Sequence, residues 1–141
     1  MPIASYIDGS YRTFQEEVAG ALDNREFSLV EPGTADNSVK LNTAVANAFG
    51  VLFKKLQNGT GRKDDVVVRM LGQAGTCKVI QNTAIDYGAK VMCDSGAPTK
   101  VKAVPGSSGT YRSIGRKVSE GGGAQNDVIE IIPTVETVVV P

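Results

Sequence analysis

The stretch Asn58-Gly59-Thr60-Gly61-Arg62-Lys63-Asp64-Asp65-Val66-Val67-Val68-Arg69-Met70-Leu71 is a glycine turn running into a strongly apolar segment. It is answered later in the chain by Glu120-Gly121-Gly122-Gly123 and Asp127-Val128-Ile129-Glu130-Ile131-Ile132. Valine and isoleucine in short runs bounded by glycine favour strands over helices. The echo extends outward from this pair. Sliding the chain along itself by 62 positions, without a gap, lays Val39-Lys40 on Val101-Lys102, Phe49 on Tyr111, Lys55 on Lys117 and Asp65-Val66 on Asp127-Val128. The spacing therefore predicts two similar repeats, about 13–71 and 75–133.

Working outward, Phe27-Ser28-Leu29-Val30 reads as a short strand closed by the Pro32-Gly33 turn, with Ser38-Val39-Lys40-Leu41 as its neighbour. The second repeat offers Ala89-Lys90-Val91-Met92, a turn at Asp94-Ser95-Gly96-Ala97-Pro98, and Lys100-Val101-Lys102-Ala103-Val104. Gly50 and Gly115 interrupt the next runs, as at a bulge or tight bend. Between Thr13 and Leu22 two signals conflict. A capping box at Thr13 to Glu16 and the Phe14, Val18, Leu22 spacing favour a helix, whereas the repeat counterpart Thr76–Ile80 favours a strand. The strand is preferred. The expected fold is all-β, a small barrel or sandwich of short antiparallel strands from two similar repeats. Residues 1–12 form an N-terminal arm, 13–133 a single β domain and 134–141 a C-terminal tail.

Composition narrows the function. A chain of 141 residues buries about two-thirds of its unfolded surface and needs neither metal nor disulfides to fold. Fifteen basic and fifteen acidic residues cancel, without a dense basic run, and Trp is absent, which argues against nucleic acid as a partner. No histidine is present, which removes Ser-His-Asp and Cys-His catalysis, His-ligated metals and the usual neutral-pH proton shuttle. No spacing marks carboxylate-pair or Ser-Lys chemistry, so no catalytic residue, cofactor site or metal site is expected. Gly59-Thr60-Gly61-Arg62-Lys63 enters a strand, not a helix, and so lacks the converging donors of a phosphate loop. Asp64-Asp65 and Asn126-Asp127 offer too few acids for calcium and read as turn closures. Lys54-Lys55 with Arg62-Lys63, and Arg112 with Arg116-Lys117, form matching basic spots, readable as solvated edges or as contacts to a partner's carboxylates. Cys77 and Cys93 read as buried thiols in a reducing compartment, with a cross-strand disulfide about a hairpin near Ile85 as the alternative. No secretory signal or membrane-spanning stretch is expected from the sequence.

The run from Cys77 to Asp94, then Arg112-Ser113-Ile114-Gly115-Arg116-Lys117-Val118-Ser119, Glu120-Gly121-Gly122 and Asp127-Val128-Ile129-Glu130-Ile131, resembles the small capsid decoration, or cement, proteins of tailed bacteriophages. Ile85 and Gly88, Ile114-Gly115, and Asp127 through Ile131 stand at that family's turn-and-strand positions. The first repeat fits at Phe49-Gly50-Val51 and Asp65-Val66-Val67-Val68 but has Arg25-Glu26 where a glycine is expected. The resemblance implies a non-enzymatic viral structural protein on the capsid exterior, made in the host bacterial cytoplasm. Its partners would be the major capsid protein and itself, as a homotrimer or a dimer, with no nucleic acid and no membrane. The partner interface is expected on the arms, at Ile3, Tyr6, Ile7, Tyr11, Phe14, Val138, Val139 and Val140. Alternative readings are a phage head-tail connector or tail subunit, and a cytoplasmic ligand-binding β-barrel module.

Overall fold

The computed structural model describes residues 10–121 and 123–141. Among them the chain is all-β. Strands β1 (Tyr11–Glu16), β2 (Leu29–Pro32), β3 (Ser38–Leu41), β4 (Gly50–Lys55) and β5 (Asp65–Met70) close into a barrel in the order β1-β3-β2-β4-β5. The second half supplies β6 (Cys77–Ile80), β7 (Lys90–Asp94), β8 (Ala97–Ala103), β10 (Gly115–Lys117) and β11 (Val128–Ile132), in the order β6-β11-β10-β7-β8. A separate ribbon pairs β9 (Gly109–Ser113) with β12 (Glu136–Val140).

The two five-stranded sheets share one connectivity. In the first, β1 closes onto β3 through the parallel pairs Gln15↔Ser38 and Glu16↔Val39. In the second, the same closure is a single parallel bridge, Gln81↔Val101. Matching hydrogen bonds fix the correspondence: Glu17 N–H donates to Val39 and Asn82 N–H to Val101, while Phe49 N–H donates to Val30 and Ile114 N–H to Val91. These pairs make Glu16 the counterpart of Gln81, Val30 of Val91, Gly50 of Gly115 and Leu52 of Lys117. The offset therefore varies by strand and is not a uniform 62. Val39 keeps Val101 as its counterpart, but Lys55 and Lys117 are not equivalent. The loops differ in length between the halves, and a strand can only change offset where a loop allows it.

Period-2 alternation explains the interiors. Val66 and Val68 of β5 are buried, as are Ile129 and Ile131 of β11. Phe14, Leu22, Val30, Val39, Leu52, Val66 and Val68 fill the first barrel. The second core, with Val79, Ile85, Val91, Val101, Ile114, Ile129 and Ile131, also contains Leu29, Ala48 and Val51 from the first half. Leu29 and Val51 are cross-strand partners on β2 and β4, and both are essentially inaccessible to solvent. Each contributes about 1.5–3 kcal/mol of apolar burial, and this shared core makes the halves one packed unit.

Between Thr13 and Leu22 the strand reading holds as far as Glu16, after which the chain turns. Glu16 explains the stop: its carboxylate accepts main-chain N–H groups of Gly20 and Leu22, which wraps the following loop over the barrel end. The bulge in β4 falls between Leu52 and Lys54, not at Gly50. Gly50 instead permits close approach, since a Cβ there would lie 2.4 Å from Val68 Cγ1. Cys77 and Cys93 are free and buried. β6 pairs with β11 and not with β7, so no hairpin about Ile85 brings them together.

Candidate functional site at the junction of the two halves

Ile3, Tyr6 and Ile7 lie outside the described residues. Tyr11 is not part of a loose arm: it opens β1 and pairs with Arg69 of β5. Phe14 must be withdrawn as a surface contact, because its ring is inside the first barrel, 7% exposed and packed on Phe49. Val138, Val139 and Val140 sit on β12 opposite Tyr111, Thr110 and Gly109, with Val139 70% exposed.

The basic spots are reassigned as well. Lys55 is buried and pairs through Nζ with Glu16, 2.9 Å away, and with Asp23. Burial alone would push the Glu16 carboxyl up, but Lys55 and the N–H groups of Gly20, Leu22 and Asp64 hold it below its ordinary value. Burial alone would lower Lys55, but the Asp23 and Glu16 carboxylates beside it raise it above its ordinary value. Lys117 is equally buried but is held by main-chain carbonyls, Ile85 at 2.7 Å and Gly121. Arg112 donates to the carbonyls of Val45 and Ala48 and so ties the second half to the first. These cations are structural. Pattern reading missed this because a Lys-Lys run ordinarily marks solvent. The bulge between Leu52 and Lys54 turns Lys55 inward, and no local pattern in the sequence marks it.

Asp64, Asn126 and Asp127 close turns: Thr60 Oγ1 donates to Asp64, Lys100 to Asn126 and the Ala124 N–H to Asp127. No cluster of three or more potential metal ligands occurs among the described residues.

A cleft of about 260 Å³ lies where the halves meet. Its walls come from Tyr11, Phe27, Val51 and Phe53 on one side and Thr76, Cys77 and Lys78 on the other, with Arg69 and Glu130 at its polar margin. Tyr11 and Phe53 meet edge to face at 5.0 Å and remain 37% and 46% exposed. Arg69 lies 5.7 Å over the Tyr11 ring. Its guanidinium is already engaged by the carbonyls of Met70, Gln73 and Ala74, and Glu130 accepts from Thr76 Oγ1. Burial pushes the Cys77 thiol up to about 11, so it is not a nucleophile at neutral pH. The Arg69, Thr76 and Glu130 side chains are thus engaged by the protein itself, Lys78 is exposed, and the rest of the cleft offers mainly apolar surface. Phe27 adds a further sign of constraint. Its φ of 70° is in the left-handed region, where the second half has Gly88 at 81°. Both donate N–H to the same strand position, Leu52 in one half and Lys117 in the other. Holding a phenylalanine there costs about 1–3 kcal/mol.

Neither protein-family profiles nor curated proteins include a match to this chain.

Proposed function

We propose that the protein is a non-catalytic structural subunit of a bacteriophage particle, a decoration protein that binds the outer surface of the head across junctions of the major capsid protein. The observation that carries this reading is the mismatch between polar and apolar groups on the described surface. At the junction cleft Arg69, Thr76 and Glu130 are engaged internally, while aromatic side chains stand exposed at Tyr11 and Phe53 and, away from the cleft on β12, so does Val139. Such a surface suits protein contacts rather than turnover of a polar substrate. The resemblance of residues 77–131 to decoration proteins supplies the partner, the major capsid protein. Self-association as a trimer would multiply weak contacts around a shell.

The test mixes purified protein with undecorated capsids and measures co-sedimentation. Saturation at a stoichiometry comparable to the major capsid protein is expected. Truncation before Tyr11 is expected to abolish decoration while the β core stays folded by circular dichroism; normal decoration by the truncated chain would defeat the arm as the contact.

A further inference from the structure

We infer that residues 1–9 dock on this chain's own terminal ribbon, as a third strand antiparallel to β12 along its outer edge. β12 pairs with β9 and, among the described residues, with no other strand. Alternate N–H and C=O groups of β12 therefore point away from β9, where no described strand receives them. Two strands alone are marginal in water, and proteins normally guard such an edge with Lys, Pro or a bulge. Thr137-Val138-Val139-Val140 contains none of these. One side of the ribbon is bare as well. Directly opposed residues of a ladder point to the same side of a sheet. Thr137 and Val139, opposite Arg112 and Thr110, therefore share the side from which Arg112 reaches the Val45 and Ala48 carbonyls of the first half. Val139 on that side is exposed, and so is Val135 just ahead of the strand.

The segment that fits this edge is rooted beside it. The Ser10 carbonyl accepts the Met70 N–H at 2.7 Å, and a continued β1–β5 ladder would next bring the Gly72 N–H to Asp8. Gly72 donates to the Pro133 carbonyl instead, at 3.0 Å. Pro133 thus holds the place beside Gly72 that the chain before Ser10 would otherwise take, and the chain goes on from Pro133 into β12. Met70 and Gly72 are about 7 Å apart along the chain, so the two roots are neighbours. From there residues 1–9 span up to about 30 Å when extended, against about 17 Å for β12. Running back from Ser10 while β12 runs forward from Pro133, the two segments are antiparallel. Setting Gly9 against Pro133 lays Ile7 against Val135 and Ile3 against Val139. Two apolar residues on one face of the segment thereby meet the two exposed valines at the same spacing. The short tether favours the chain's own segment over that of a second copy.

Engineered thiols test the register in the full chain. Two in-register pairs are made, Ile3→Cys with Val139→Cys and Ala4→Cys with Val138→Cys, one of which is the closer, non-hydrogen-bonded kind. Mild oxidation is expected to link at least one pair within a single chain, as mapped on non-reduced peptides. The slipped pair, Ile3→Cys with Val138→Cys, is expected to link far less, because a one-residue slip moves the side chain to the other face. No link in either in-register pair would overturn the proposal, and so would links formed only between chains, which would assign the edge to a second copy. A further measurement needs no thiols. Deletion of residues 1–9 is expected to speed amide hydrogen exchange about tenfold at the alternate residues of β12 not bonded to β9, while Ile129 and Ile131 in the core keep their rates. Unchanged exchange along β12, or an equal rise at Ile129 and Ile131, would overturn it. Both experiments use purified protein without capsids, so they can fail while decoration succeeds, and the reverse.

Discussion

The two halves use one strand order to enclose different interiors. In the first, Leu52 occupies the inner face of β4, and a buried Lys55–Glu16 pair with Asp23 seals the barrel end. In the second, Lys117 stands in the place of Leu52 and Gln81 in the place of Glu16. The Lys117 ammonium reaches loop carbonyls, and Gln81 donates to the Ala124 carbonyl. One half thus closes with charges paired to charges, the other with polar groups satisfied by its own main chain. The fold tolerates both because the barrel end, unlike its middle, lies within reach of loop main-chain groups.

The largest effect expected from this contrast follows removal of each lysine. Lys55→Met leaves Glu16 buried without its cation, and breaking a buried pair from one side costs about 3–5 kcal/mol. Lys117→Met removes a buried ammonium together with its own desolvation, leaving the carbonyls of Ile85 and Gly121 to be satisfied otherwise, for about 1–2 kcal/mol. Urea denaturation of the two variants should therefore give clearly separated midpoints. Equal losses would mean that the paired carboxylates do not distinguish the halves.

A smaller difference is expected at the equivalent glycines. A Cβ at Gly115 would lie 2.5 Å from the Ile132 carbonyl oxygen, whereas at Gly50 the nearest atom, at 2.4 Å, belongs to the Val68 side chain. Main chain held in a ladder yields less than a methyl group. Gly115→Ala should cost about 3 kcal/mol and Gly50→Ala about 1–2 kcal/mol, both within the range for overpacking. A reversed order in thermal denaturation would show that the second sheet, closed by one bridge, is the softer of the two.

Legibility in the sequence follows the same division. Strands could be read because Val66 to Val68 and Val128 to Ile132 are β-branched apolar runs that follow glycine turns, and the all-β class follows from that local signal. The ribbon strand β12 was visible as a β-prone tail in the β-branched Thr137-Val138-Val139-Val140. Registers were not legible. A fixed offset of 62 matched Lys55 with Lys117 by identity, while the ladders make Leu52, paired with Val68, the counterpart of Lys117, paired with Ile131, because loop lengths shift each strand separately. Burial of Lys55, Lys117 and Phe14 depends on partners distant in the chain, such as Glu16 for Lys55 at 39 residues' separation. The cleft escaped detection altogether. It is assembled from Tyr11, Phe27 and Phe53 in one half and Thr76 to Lys78 in the other, and no local pattern announces that meeting.

Acid provides the gentlest way to separate the halves. Among the described residues, Glu16, Glu17, Asp23 and Glu31 of the first half are held below their ordinary pKa values, but only Asp94 in the second. A carboxylate with a depressed folded pKa contributes stability that is complete above its unfolded value, about 3.9 for Asp and 4.3 for Glu, and is lost as pH falls through the folded value. The first half therefore loses more on acidification. Hydrogen exchange followed from pH 5 to pH 2.5, corrected for intrinsic rates, should show β1, β2 and β4 losing protection before β7 and β11, with little change above pH 5. Glu16→Gln should flatten the acid limb while lowering the plateau, since the amide cannot replace the charge opposite Lys55. If β7 and β11 open first, the ion-paired end is not the acid-sensitive part of the molecule. The neutral closure around Lys117 would then be the weaker seal, by way of the single Gln81–Val101 bridge that holds its sheet together.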